Sequence, residues 1–219
     1  MKEVFEYLSR GGVVMIPIAL GSVVALAIFL ERMWALQKSR IIPGGLVDRV
    51  MKLVNDGDFG TARDECLRSN SPMGRVMLAG VEAKGADREA IKGLFEEVGK
   101  QEISRLERNI EAMGTTASIE PLLGLLGTVT GMIQVFQKVV VTSRSGAVDP
   151  GQLANGIWQA LITTAAGLSV AIIAFMGYRY LLSRTVRHSL AMEEGALRLV
   201  GSLAPLGGGT DGAKDSEAS

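Results

Sequence analysis

From Val13 to Leu30 the chain runs for 18 residues without one charged side chain. At 1.5 Å per residue that is about 27 Å of helix, close to a bilayer's hydrocarbon thickness of about 30 Å. A second apolar stretch runs from Ile119 to Val141 and a third from Ile157 to Leu182. Apolar residues are therefore bunched rather than spread along amphipathic elements. Within lipid, a backbone must satisfy its own polar groups, which makes each stretch a helix. The expected fold class is all-α: an integral membrane protein with three transmembrane helices.

Formal charge is zero over 219 residues, so no basic or acidic excess recruits nucleic acid or a charged surface. Its distribution says more. Fourteen of the 23 Lys and Arg residues lie between Glu31 and Thr115, and Arg179, Arg184, Arg187, Arg198 and Lys214 follow the third stretch. Only Lys2 and Arg10 precede the first, and only Lys138 and Arg144 sit near the turn between the second and third. The positive-inside bias puts the N-terminus and that turn outside, and the central segment and C-terminus in the cytoplasm.

The first apolar run is too long for a signal peptide, and Glu31, Arg32 and Trp34 follow it instead of a small-residue cleavage site, so it is expected to be a retained anchor. Cys66 is alone and placed in the cytoplasm, which predicts a buried or idle thiol.

The expected organisation follows from period and punctuation. Residues 1–11 form an amphipathic helix at the outer interface, and 12–34 the first span, with Pro17 in its first turns, where a missing N–H does least harm. Pro43-Gly44-Gly45, Asn55-Asp56-Gly57-Asp58 and Ser69-Asn70-Ser71-Pro72 are turn signals that divide 35–86 into short cytoplasmic helices. From Asp87, residues Ile91, Leu94, Phe95, Val98, Ile103, Leu106, Ile110 and Met113 keep a helical period, interleaved with charge. One long helix over 87–141, or two nearly continuous ones, is expected, with the second span at about 117–141 and over about 40 Å of solvated helix before it. A turn over 142–155 leads to a helix over 156–203, whose span covers about 157–182 and whose end extends into the cytoplasm. Residues 204–219, rich in Gly, Ser, Asp and Lys, are expected to be disordered.

Polar groups inside lipid cost free energy unless partnered or wetted, so they mark function. Gly124, Gly127, Thr128 and Gly131 form one small-residue face on the second span, with Gly127 and Gly131 a G-x-x-x-G pair suited to close helix packing. On the third span Asn155, Gln159 and Thr163 recur at spacing four, beside Ala160, Thr164, Gly167 and Ala171. Hydroxyls and an amide facing one lumen can replace part of an ion's hydration shell. The plainer account is that such Gly and Thr residues pack helices, with each hydroxyl bonded to its own helix. Two spans bearing matching stripes favour a lining. Glu120, before Pro121, is expected to snorkel to water at headgroup level, or else to serve as a relay or a cation-attracting ring at the inner mouth. Lys138 and Arg179 are expected to be interfacial anchors, and His188 a solvated polar residue.

One His and one Cys, far apart, build neither a metal site nor a nucleophile pair, and no nucleotide-binding or hydrolase motif is present. Neither an enzyme nor a cofactor is expected.

Leu106-Glu-Arg-Asn-Ile-Glu-Ala-Met-Gly114, then Pro121-Leu-Leu-Gly-Leu-Leu-Gly-Thr-Val-Thr-Gly-Met-Ile133, then Gly156-Ile-Trp-Gln-Ala-Leu-Ile-Thr-Thr-Ala-Ala-Gly-Leu168 resemble the ExbB/TolQ family. With Glu31-Arg32 and three spans, the resemblance covers nearly all of the chain except its two ends. It implies a homopentamer whose second and third spans line a pore holding two single-span partners of the ExbD/TolR kind. Protons passing between the partner's aspartate and the lining then drive rotation, which the partner, together with a TonB- or TolA-like effector, passes to an envelope process. By position, Thr128 and Thr164 match the family's pore-facing threonines. Gln159 stands where the best-known members hold a glutamate, and it cannot titrate. Glu120 stands where a small residue is common, and Ile173 falls where Ala-Ile-Pro is usual, which predicts a straighter third span.

The ion pathway expected is thus Thr128, Thr164, Gln159, Thr163 and Glu120, with Gly124, Gly127, Gly131 and Gly167 packing helices. A MotA-like flagellar stator is the related alternative, disfavoured because it has four spans. A membrane scaffold with packing-only stripes is the alternative of another class.

Overall fold

The computed structural model describes residues 12–142 and 150–203. Seven helices are described: α1 (Met15–Ala35), α2 (Lys38–Ile41), α3 (Leu46–Asn55), α4 (Phe59–Ser69), α5 (Pro72–Glu82), α6 (Arg88–Thr142) and α7 (Pro150–Leu203). No strand occurs among the described residues. The interfacial helix expected at 1–11 and the tail at 204–219 lie outside them, as do residues 143–149 of the expected turn. The third long helix begins at Pro150, six residues before the expected start at 156. Its ring presets the φ angle of a first helical turn and removes an N–H that would have had no partner there.

Three helices, α1, α6 and α7, are long and apolar enough to cross a membrane. Only 17%, 22% and 28% of their most apolar stretches are buried within the chain. Val13 ahead of α1, Ile16, Leu20, Val23 and Leu30 of α1, Leu122, Leu125, Val129, Ile133 and Phe136 of α6, and Ile172, Ile173 and Met176 of α7 are all exposed. Apolar surface on that scale belongs against lipid or other subunits.

The chain forms two compact units. One comprises α1, α6 from Glu107 and α7 up to Ser183. Here helices meet through missing side chains. A Cβ on Gly127 would stand 2.7 Å from that of Thr163, one on Gly131 3.0 Å from that of Ala160, and one on Gly124 3.1 Å from the Thr164 Cα. Gly167 returns the contact, its imagined Cβ 3.0 Å from the Gly124 Cα. On the other side Phe29 of α1 packs over Gly177 and lies 6.5 Å, ring to ring, from Tyr180. Ser22, Ala25 and Leu26 of α1 face Met113 of α6 and Val170 and Ala174 of α7 across an apolar groove. α7 runs without a break through Ile173, while α6 accommodates Pro121, whose missing N–H deprives the Ala117 carbonyl of its usual intrahelical donor.

The second unit contains α2 to α5, α6 up to Leu106 and α7 from Arg184. Its turns fall at the punctuation in the sequence: Gly45, Gly57, Gly85 and Asn70 all take positive φ, which Gly does without strain and Asn tolerates. Asp58 accepts the Thr61 amide at 3.0 Å and Ser71, ahead of Pro72, that of Gly74 at 3.0 Å, and Asp87 accepts the Ala90 amide at 2.7 Å. Each relieves an orphan donor in a first helical turn. The Thr61 bonds also hold the Asp58 carboxyl below its ordinary range.

The core of this unit reaches beyond the 35–86 segment expected from the sequence. Leu46, Val50, Met73 and Met77 are buried together with Ile91 and Phe95 of α6 and Met192, Leu199 and Val200 of α7. Fewer than fifty residues of short helix enclose too little apolar surface alone, so the long helices complete the core. Glu102, 2% exposed, is satisfied by Arg75 at 2.6 Å and Arg105 at 2.8 Å. His188 is half-buried rather than solvated, its Nε2 3.0 Å from the Leu36 carbonyl. Burial first, and then Arg184, Arg187 and Lys38, lower its affinity for a proton, against the raising effect of the Leu36 bond.

Candidate functional site

The polar residues of the membrane-spanning unit fall into three local arrangements. In the first, the Thr164 hydroxyl of α7 donates to the Gly124 carbonyl of α6 at 2.8 Å, across the interface where Gly124 lets the backbones touch. In an α-helix that carbonyl is also the acceptor for the amide four residues on, that of Thr128. One carbonyl therefore links the two threonines. The Thr128 hydroxyl itself donates to Leu125 O at 2.7 Å, which leaves its oxygen lone pairs on a partly exposed surface. Thr130 bonds to its own helix in the same way.

The second arrangement centres on Gln159. Its amide nitrogen stands 2.7 Å from where a Cβ on Gly12 would be, so the side chain lies over the backbone at the entrance to α1. Gly12 has φ of +75°, open to glycine and strained for a side chain. Thr163, one turn further along α7, is 1% exposed, donates to Gln159 O at 3.0 Å and presses its methyl against Gly127. Of the adjacent threonines, Thr163 is thus enclosed between helices and Thr164 is partly exposed.

The third is Glu120. The sequence favours a carboxylate snorkelling to water, yet Glu120 is 1% exposed. Oε2 is buried without a hydrogen-bond partner. Its carboxyl occupies the place where a side chain on Gly21 of α1 would be, and its own carbonyl lies 2.6 Å from an imagined Cβ on Gly167. Glu120 and Thr128 are eight residues apart, about 12 Å along the helix. The structure therefore brings Thr128, Thr164 and Thr163 to one interface and sets Glu120 apart, turned to α1.

Gly12 and Gly21 were not among the sequence candidates. A glycine in a span signals close approach to something, but Gly21 carries no mark of which helix fills its notch. The described residues hold no group of three or more His, Cys, Asp or Glu side chains placed to bind a metal ion.

A family model for MotA/TolQ/ExbB proton channels matches residues 68–194, more than half of the chain. The chain belongs to the MotA/TolQ/ExbB proton channel family. It is 35% identical to an ExbB-like 1 biopolymer transport protein of Synechocystis over 175 residues, 80% of this chain and 68% of that one. It is 29% identical to the ExbB-like 3 protein of the same organism over 192 residues, 87% and 91% of the two chains. To the Tol-Pal system protein TolQ of Haemophilus influenzae it is 32% identical over 161 residues, 71% and 64% of the two.

Membership makes the chain a subunit of a channel linked to the proton-motive force, held in the inner membrane by its apolar helices. The family is one of channels rather than enzymes. The match runs from the end of α4 well into α7 and so contains Glu120, Gly124, Gly127, Thr128, Gly131, Gln159, Thr163, Thr164 and Gly167. Gly12 and Gly21 lie outside it.

Proposed function

We propose that this chain is the ring-forming channel subunit of an inner-membrane motor that couples proton flow to an envelope process: outer-membrane transport, envelope integrity or motility. Five copies surround a pore lined by the spans of α6 and α7, which holds two single-span subunits of the ExbD/TolR kind, and a TonB- or TolA-like effector takes up their motion. Thr128 and Thr164 line the proton path and Gln159 lies beside it. Thr163 backs the lining from within the helix pair. The N-terminus faces the periplasm and the C-terminus the cytoplasm.

The observation that carries this reading is the Thr164 hydroxyl bonded to Gly124 O. It sets the Thr164 hydroxyl of α7 on the carbonyl one turn before Thr128 of α6, and both threonines are partly exposed. Hydroxyls held in that way can order a proton-carrying water without reorienting. Because Gln159 cannot ionise, the acid that exchanges the proton with this lining is the partner's.

Native mass spectrometry of the purified chain in lipid discs tests the ring. Five copies, alone or with two of a small single-span protein, support it; a monomer or dimer that persists across mild detergents and discs overturns the central pore. Thr128→Val and Thr164→Val then test the lining, since valine keeps the shape and removes the hydroxyl. The proposal expects proton flux and envelope function to fall at least tenfold with assembly intact.

One observation favours a packing-only scaffold: the Thr128, Thr130 and Thr163 hydroxyls all bond to carbonyls of their own helices. Under that reading Thr128→Val keeps full function.

A further inference from the structure

Between Ala112 and Gln137 of α6, Glu120 is the only ionisable side chain, and residues 13–30 and the stretch of α7 from Ile157 to Gly177 hold no Asp, Glu, Lys, Arg or His. Among the described residues, the apolar interior of the membrane-spanning unit therefore has one carboxyl. It is enclosed by protein within a single chain, 1% exposed, and one of its oxygens has no hydrogen-bond partner. Space for it is built by omission: a side chain on Gly21 of α1 would fall on Oε1 and approach Cδ to 3.0 Å. Gly21 of α1 and the Thr116 methyl of α6 border the notch, the Thr116 hydroxyl being committed to Ala112 O at 3.0 Å, while Gly167 of α7 meets the Glu120 carbonyl.

An ionised carboxylate in such a place, with neither a cation nor a full set of donors, is strongly disfavoured against the neutral acid. We propose that Glu120, seated in the Gly21 notch, is a proton-binding site of this chain, separate from the threonine lining. The bound species is the proton itself, held as the neutral acid and exchanged when α1 and α6 part. That the site feeds the ion path rests on the channel reading above; that it binds a proton does not.

A lipid-soluble carbodiimide is the probe, because it reacts with protonated carboxyls in apolar surroundings. The acid adds across one C=N bond, with its oxygen going to carbon and its proton to nitrogen. The acyl group then migrates to nitrogen, so the whole reagent is retained and nothing leaves.

With the full chain in lipid discs, the expected result is one adduct per chain, located at Glu120 by fragment mass spectrometry. Labelling should persist at pH 7, where exposed carboxyls, titrating at about 4.3, are ionised. Glu120→Gln, isosteric with the neutral acid, should remove the adduct and keep assembly. Gly21→Val should displace the carboxyl and change the labelling rate at least fivefold. No adduct on the wild-type chain at pH 6, an adduct on another residue, or labelling that is lost by pH 7 overturns the proposal, and the wild-type measurement decides even if a variant fails to fold. Labelling at Glu120 together with unaltered function in Thr128→Val and Thr164→Val would keep the proton site and remove the channel reading.

Discussion

At the residue scale, absent side chains set the contacts of the membrane-spanning unit. Gly127→Ala would place a Cβ 2.7 Å from that of Thr163, a β-branched residue enclosed between two helices and unable to turn aside. Overpacking of this sort costs about 1–3 kcal/mol. Gly99, in the same long helix, has nothing within 4 Å of its imagined Cβ. Gly99→Ala should stabilise by up to about 1 kcal/mol through helix propensity. Denaturation of the two variants in detergent should move in opposite directions. Cys66 supplies a second test. Burial, and then the charge of Glu65, push its thiol up to about 11. About 0.1% is thiolate at pH 8, against about a quarter for a free cysteine. Alkylation of the folded chain at pH 8 should be at least a hundredfold slower than that of the denatured chain. The sequence marked Cys66 as idle because it stands alone, and marked the Gly124 to Gly131 face because its spacing is periodic. Glu120 and His188 it misplaced toward water, because a lone polar residue carries no pattern: its surroundings come from helices distant in the chain.

Among elements, boundaries followed local chemistry and partners did not. Asp58, Ser71-Pro72 and Asp87 are N-terminal signals readable in sequence, and they cap helices in the structure. Pro150 starts α7 earlier than the apolar pattern does, since the pattern marks where lipid begins and the proline marks where the helix begins. The end of α7 is held partly by His188, whose Nε2 meets the Leu36 carbonyl ahead of α2. Burial keeps its proton affinity in the folded chain below the free value of 6.5. The unfolded chain therefore binds the proton more readily, and this contribution is complete above pH 6.5 and lost as pH falls through the lower, folded value. Thermal unfolding of the detergent-solubilised chain should shift downward between pH 7 and pH 5. His188→Gln, which keeps a donor and cannot charge, should remove that part of the shift.

For the whole molecule, three apolar runs were enough to fix the number of spans, because a bilayer's thickness is a length that sequence can be measured against. The second unit was less legible. The short helices over 36–82 look like a domain by punctuation, yet their core is closed by Ile91, Phe95, Met192 and Leu199, from segments that sequence reading assigned to the long helices. Every unit of this chain is thus shared by the same two helices, and one charge rule must orient both. The 14 cations between Glu31 and Thr115, against Lys138 and Arg144 at the turn, argue for a cytoplasmic second unit. A fluorescent protein fused after Leu203 should therefore mature and fluoresce, while alkaline phosphatase inserted within 143–149 should be active. The reverse pattern would put the second unit outside, with the positive-inside bias inverted across all three spans. The Arg75–Glu102–Arg105 cluster would be outside with it.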